Sequence, residues 1–149
     1  IVADEPTTAL DVTIQAQVLG LISALRRSKG VSLLFITHDF GVVSELCDRV
    51  MVMYAGKVVE TGSTMDVINH PLHPYTRRLI DCVPRLGQPD KSLQAIPGMA
   101  PAINALPKGC AFAERCDFVI EICRSHEISL NEIGTGRTVR CLRLIKGEI

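Results

Sequence analysis

The sequence predicts an α/β fold: a layer of alternating strands and helices, an antiparallel addition, and a Cys-rich, loop-rich C-terminal extension. Three observations carry this expectation. Over residues 1–46, short apolar runs alternate with stretches whose apolar residues recur every three to four positions. Two strand-like runs then flank Ala55-Gly56, the pattern of a hairpin. Finally, four of the six cysteines fall within residues 108–149, after a stretch that holds five of the eight prolines.

Each element has a local reason. Ile1-Val2-Ala3-Asp4 reads as the end of a buried strand. Asp11 or Thr13 can cap the amides of a helix whose apolar face is Ile14, Val18, Leu21, Ile22 and Leu25. Arg26, Arg27 and Lys29 suit the negative end of that helix, and Gly30 ends it. The run 31–36 is short and apolar, as a buried strand requires. Asp39 can cap a second helix through Leu46. Arg49–Tyr54 and 57–61 form the expected antiparallel hairpin. Ser63 and Asp66 make a capping pair for a short helix to Asn69, and Pro74 suits the first turn of another through Val83. Pro84, Pro89, Pro97, Pro101 and Pro107 mark an extended linker, because each fixes φ and removes a backbone donor. Three regions result: an α/β part (1–69), an extension with the proline-rich linker (70–107), and a Cys-rich tail (108–149).

Composition narrows the function classes. At 149 residues with 47% apolar content, the chain can bury one domain-sized core. Its 16 basic and 16 acidic residues cancel, so no basic field is offered to nucleic acid or anionic lipid, and no nucleic-acid partner is expected. The longest apolar run, residues 50–56, falls far short of the ~18 residues of a membrane span. No secretory leader pattern opens the sequence, and Ile1 already stands inside a strand pattern, so the chain is expected to open mid-domain.

The chemistry gathers where two strands end, as ligand sites do in open α/β sheets. The first ends in Asp4-Glu5. Two carboxylates leaving a buried strand are costly unless they hold something positive or take part in a reaction. The second ends in Thr37-His38-Asp39, where an imidazole can bond a phosphate and a carboxylate together. His70 and His73 have a His-x-x-His spacing, but Pro71 and Pro74 break the helix that would align them, so a structural loop is expected. Cys47 and Cys82 lie in apolar helical contexts and read as small hydrophobes. The other four are spaced Cys110-x₅-Cys116-x₆-Cys123-x₁₇-Cys141. Without a secretory leader, such a group reads as a metal or cofactor site rather than a disulfide framework, for which three connectivities would stay open. No tight Cys-x₂₋₄-Cys knuckle of the kind usual for structural zinc is present. Iron–sulfur clusters tolerate looser spacing, because the ligands wrap a larger object. Arg115, Arg124, Arg137, Arg140 and Arg143 crowd the group and are expected to lower the thiol pKa values.

These words together resemble one family. The run from Ile1 through Asp4-Glu5-Pro6-Thr7-Thr8-Ala9-Leu10-Asp11 resembles the Walker B strand and D-loop of ATP-binding-cassette ATPases. Phe35-Ile36-Thr37-His38-Asp39 resembles their switch-histidine segment, and Cys47 through Gly62 their closing hairpin. His70-Pro71-Leu72-His73-Pro74-Tyr75-Thr76, Ile96-Pro97-Gly98 and Leu106-Pro107-Lys108-Gly109-Cys110 with Arg115-Cys116 resemble the extension of dipeptide, oligopeptide and nickel importer ATP-binding subunits. The Walker A phosphate loop, glutamine loop and signature of that family have no counterpart in these residues, so the resemblance is to the C-terminal half of an ABC-type P-loop ATPase domain.

The resemblance implies the following roles. Glu5 is the general base toward the attacking water, and His38 contacts the γ-phosphate and keeps base and water in line. Asp4 holds Mg²⁺ beside ATP, and Asp11 reaches across a dimer interface, besides its service as a helix cap. The implied activity is ATP hydrolysis that energises peptide uptake, with residues 1–149 inactive by themselves. The implied partners are a second ATP-binding subunit in a heterodimer and two membrane-spanning permease subunits, at the cytoplasmic face of the membrane. For Cys110, Cys116, Cys123 and Cys141 the implied cofactor is a [4Fe–4S] cluster, with Zn²⁺ as the alternative. A different reading of the chain is a metal- or cluster-binding interaction module without ATPase activity.

Overall fold

A computed structural model describes residues 1–83 and 95–149. Pro84 and Pro89 of the expected linker lie outside the described residues. The chain divides into two compact units, Ile1–Asp48 and Arg49–Ile149. The hairpin after Asp48 therefore folds with the Cys-rich tail.

The first unit runs β1 (Val2–Asp4), α1 (Val12–Lys29), β2 (Leu34–Ile36) and α2 (Phe40–Leu46). β1 and β2 pair in parallel, with Val2 opposite Leu34 and Asp4 opposite Ile36. Asp11 caps α1 by accepting from the Ile14 amide at 2.9 Å, and Gly30 ends it at φ +60°. Asp39 caps α2 through the Gly41 and Val42 amides.

The small core of this unit differs from the expected one. It consists of Leu19, Val42 and Leu46, with Ile22, Leu33, Phe35 and Cys47 packed against it. Leu19 takes the central place on α1, while Ile14, Leu21 and Leu25 of the expected apolar face are exposed. The strands are also less buried than their composition suggests: Val2 is 70% and Leu34 59% exposed. A parallel pair covered on one face protects only alternate residues, here Ala3 and Phe35, and the other face stands open among the described residues. The second strand begins at Leu34 rather than Val31.

The second unit is built on a sheet of order β3-β4-β6-β5. β3 (Arg49–Tyr54) and β4 (Lys57–Ser63) form the hairpin through Ala55 (φ +47°) and Gly56 (φ +76°). β5 (Asn131–Glu132) and β6 (Thr138–Val139) come from the tail and join antiparallel at β4, with Val139 opposite Glu60. α3 (Thr64–Asn69) starts at Ser63, whose hydroxyl accepts from the Asp66 amide, and α4 (Pro74–Asp81) carries its proline in the first turn. The tail adds a short 3₁₀ turn (Ala113–Arg115), α5 (Glu121–Ser125) and α6 (Leu142–Ile145), and another 3₁₀ turn (Ile103–Ala105) precedes it. The core is Val52, Tyr54, Val59, Val67 and Phe112. Within it the Tyr54 ring lies 4.6 Å from Tyr75 and meets Phe112 edge-on at 5.3 Å, arrangements that aromatic quadrupoles favour.

One charge ties these pieces together. Glu60 on β4 is fully buried. Its Oε1 accepts from the Leu72 amide at 2.9 Å and from Arg137 Nη2 at 2.8 Å, and its Oε2 from the His73 amide at 2.8 Å. Arg137 Nη2 also donates to the His70 carbonyl at 2.7 Å. Three segments far apart in sequence thus meet on one carboxylate. Breaking a buried pair leaves an uncompensated charge and costs about 3–5 kcal/mol. Arg137→Met is expected to lower the stability of this unit by about that amount. Both tyrosines of the chain belong to this unit, so tyrosine fluorescence during urea unfolding reports on it. An unchanged unfolding midpoint would show that the pair is dispensable.

Candidate functional site

Parallel pairing sends β1 and β2 out of their sheet at the same end, and this places the first cluster. The Glu5 amide donates to the Ile36 carbonyl at 2.9 Å, so Glu5 leaves the sheet beside the turn that carries His38. His38 Nδ1 lies 2.9 Å from Glu5 Oε1. Thr8 Oγ1 donates to Glu5 Oε2 at 2.6 Å, the short length of a charge-assisted bond. The Thr8 bond and then the His38 bond hold the Glu5 carboxyl below its ordinary value. The bond to Glu5 and the carboxylate's charge raise His38 above its own. Asp4 ends β1 one residue earlier and is exposed, an oxygen donor of the type a hard divalent cation takes. Asp11 stands at the far end of the same loop as the cap of α1.

The structure therefore brings Glu5 and His38 together and keeps Asp4 at their end of the sheet. Its further member is Thr8, which the sequence did not single out. The signal was weak, since a hydroxyl three residues after a carboxylate is common in turns. Most of the His38 side chain (80%) remains exposed, so the ring can meet a ligand as well as Glu5.

The second cluster lies in the other unit. Cys110, Cys116, Cys123 and Cys141 line one cavity, with His73, Phe118 and Ile128 among its walls. None of them is in a disulfide. Gly109 permits the approach: a Cβ there would stand 2.1 Å from the Cys123 carbonyl oxygen, and the Cys110 amide donates to that oxygen at 2.7 Å. Among the described residues, no three His, Cys, Asp or Glu side chains are grouped as a single metal ion requires.

The arginines do not act as expected. Burial pushes the Cys110 and Cys141 thiols up, and the Cys116 thiol to about 11. The five arginines are turned to other acceptors. Arg115 donates to the Ile96 and Pro97 carbonyls and to the Tyr54 hydroxyl. Arg124 pairs with Glu114, and Arg137 with Glu60. Arg140 donates to the Val58 and Ile128 carbonyls, and Arg143 pairs with Glu148. Carbonyls and carboxylates take the basic groups that proximity in sequence had assigned to sulfur.

His73 is a buried structural residue, in line with the loop expected there. Its Nδ1 accepts from the Tyr75 amide at 3.0 Å and so caps α4. Burial lowers its pKa to about 4. A neutral ring on the cavity wall links the extension to the cysteines, a placement not evident from the spacing with His70.

Comparison with known proteins agrees with this architecture. The profile of the oligopeptide/dipeptide transporter C-terminal region matches residues 59–123. A Brucella ovis protein named for peptide import and ATP binding is 47% identical over 149 residues, which is 96% of this chain and 44% of that protein. The oligopeptide transport ATP-binding protein of Haemophilus influenzae is 49% identical over 124 residues (83% of this chain, 38% of that protein). Its namesake from Salmonella typhimurium is 44% identical over 146 residues (98% and 43%). The chain belongs to the family of ABC-type peptide-importer ATP-binding subunits. It spans less than half the length of these curated relatives. Among the described residues, no helix is long and apolar enough to cross a membrane.

The coupled titration gives a test of the site. The raised His38 contributes fully below its ordinary 6.5, a contribution lost as pH rises through the folded value. The lowered Glu5 contributes fully above 4.5, a contribution lost as pH falls through its folded value. The pair is therefore worth most between pH 4.5 and 6.5. Glu5→Gln is expected to bring the His38 titration, followed by NMR of the ring carbons, back down toward 6.5. A His38 midpoint that stays raised in Glu5→Gln would place the cause elsewhere.

Proposed function

We propose that these residues form the hydrolysis side of an ATP-binding subunit that energises peptide uptake through an ABC-type importer. The observation that carries this is the 2.9 Å contact of His38 with Glu5 at the shared end of two parallel strands. Phosphoryl transfer to water asks the protein for positioning and charge stabilisation more than for covalent help. Glu5, ionised across the neutral range, accepts a proton from the attacking water. His38 fixes one oxygen of that carboxylate and offers its exposed edge to the γ-phosphate of ATP. Mg²⁺ bound with the nucleotide supplies charge neutralisation on the phosphates, and Asp4 is the residue that would hold it. Asp11, already a helix cap, would face a second ATP-binding subunit in a heterodimer. Two membrane-spanning permease subunits complete the assembly, with this chain peripheral on the cytoplasmic face of the membrane. The cargo class is a dipeptide or oligopeptide, or nickel.

In a subunit of the relatives' full length, Glu5→Gln is expected to keep ATP affinity while phosphate release falls on the order of 100-fold or more, because the amide cannot take the water's proton. His38→Ala is expected to behave alike. Nucleotide affinity measured beside steady-state phosphate release separates binding from chemistry, and normal turnover in Glu5→Gln would remove the base from its role.

The four cysteines support a second component of this reading: Cys110, Cys116, Cys123 and Cys141 would hold a [4Fe–4S] cluster. The four thiols line one cavity, and a spacing without a tight Cys-x₂₋₄-Cys knuckle suits an iron–sulfur cluster better than one structural Zn²⁺. Such a cluster would supply a cross-link between the turn at 110–116, α5 and α6. Were this the chain's whole role, it would be a cluster-binding interaction module without ATPase activity. The two-stranded site around Glu5 argues against that restriction. Anaerobic purification is expected to give a brown protein with iron and sulfide in equal amounts. Serine at any of the four positions should bleach it, and Cys47→Ser or Cys82→Ser should not. A colourless protein with one zinc per chain would replace the cluster with the ion.

A further inference from the structure

The loop between β1 and α1 holds Glu5 from one side and the turn after β2 from the other. Glu5 and Ala9 of this loop have φ of +45° and +65°, values that side-chain-bearing residues rarely adopt. The Thr8 amide donates to the Glu5 carbonyl and the Leu10 amide to the Thr7 carbonyl, both at 3.2 Å, and Thr7 is buried. This tight fold turns the Thr8 side chain back over Glu5. The carboxylate then has two partners from different segments: His38 on Oε1, from the turn after β2, and Thr8 on Oε2, from its own loop.

We propose that Thr8 is a positioning residue for Glu5, its hydroxyl fixing the second carboxylate oxygen so that the conformation of loop 5–9 sets the aim of the base. The inference rests on the reading of Glu5 as general base. A carboxylate offers about four acceptor sites. One bond to each oxygen stops rotation of the group yet leaves a lone pair on each for water. Held by His38 alone, the group can still swing about its terminal torsion, a broad and soft one in glutamate. With Thr8 in place, the plane is defined by two donors that sit on either side of the strand end. The two left-handed residues have a role in this account. They shape the loop in which the Thr8 hydroxyl meets the carboxylate three residues before it, and strain of this kind persists where the surroundings over-determine it. A contact made by residues 6–11 with another subunit would reach the base through this bond as well as through the loop backbone.

The test uses Thr8→Val, which keeps the branched shape and removes the donor, beside Thr8→Ser, which restores the donor. In a subunit of the relatives' full length, Thr8→Val is expected to lower kcat for ATP hydrolysis about 10-fold with KM unchanged, since orientation rather than binding is lost. Thr8→Ser is expected to recover most of the rate. In the chain itself, NMR relaxation of the Glu5 side-chain methylenes should show a drop in order parameter in Thr8→Val and not in Thr8→Ser. Unchanged kcat in Thr8→Val, or equal loss in both variants, would overturn the proposal, as would a Glu5 side chain no looser in Thr8→Val. Normal turnover in Glu5→Gln is a different result: it would refute the base itself, whatever the order parameters show.

Discussion

The second unit depends on how a single buried carboxylate is neutralised. Glu60 sits on β4 with no exposure to water, where an unpaired charge would be untenable. Its compensation comes from two backbone amides at 72–73 and one guanidinium at 137. Each donor drags a segment with it. The amides fix the turn before α4, and with it the His73 ring that caps that helix. The guanidinium fixes the stretch leading into β6, which adds to β4 beside Glu60. Thr61 and Thr138 then bond across the same pair of strands at 2.7 Å. The sheet, the extension and the tail are one unit because they solve one electrostatic problem together.

The same solution reaches the cysteine cavity. Once β6 is placed, Arg140 follows it and donates to Val58 and Ile128, and Cys141 comes next in the chain. His73, held by its own cap bond, forms part of the opposing wall. The thiols end in surroundings where burial outweighs the nearby basic groups. Arg140 directs its Nε and Nη1 at carbonyls 2.8 and 2.6 Å away rather than at sulfur. This explains why a count of arginines near the cysteines in sequence misjudged their effect on the thiols.

What could be read from the residues beforehand follows the range of the physics involved. Caps and turns are local, and Asp11, Gly30, Asp39, Ser63 and Pro74 stand where their chemistry places them. The carboxylate–imidazole contact was legible too, because parallel pairing brings two strand ends together once both strands are recognised. The burial of each face was not. Periodicity marks α1 as amphipathic, yet it does not say which of two neighbouring stripes meets the core, and Leu19 took the place expected of Leu21. Glu60 was invisible for a related reason. In the pattern Val58-Val59-Glu60-Thr61 a glutamate reads as a solvent-facing residue, and partners 12, 13 and 77 positions away make its burial possible.

Glu60 and Glu5 put their charges to opposite use. Glu60 is sealed, with both oxygens committed to donors that define architecture, and its worth is structural. Glu5 is also met on both oxygens, but in a place open to solvent, beside an imidazole that is mostly exposed. An exposed carboxylate needs no partner to be tolerated, since water would serve as well. That it is nonetheless held by two side chains, in a loop with two residues of positive φ, means that the bonds fix direction rather than compensate burial. On the proposed reading of Glu5 as general base, direction is what meeting one water molecule requires.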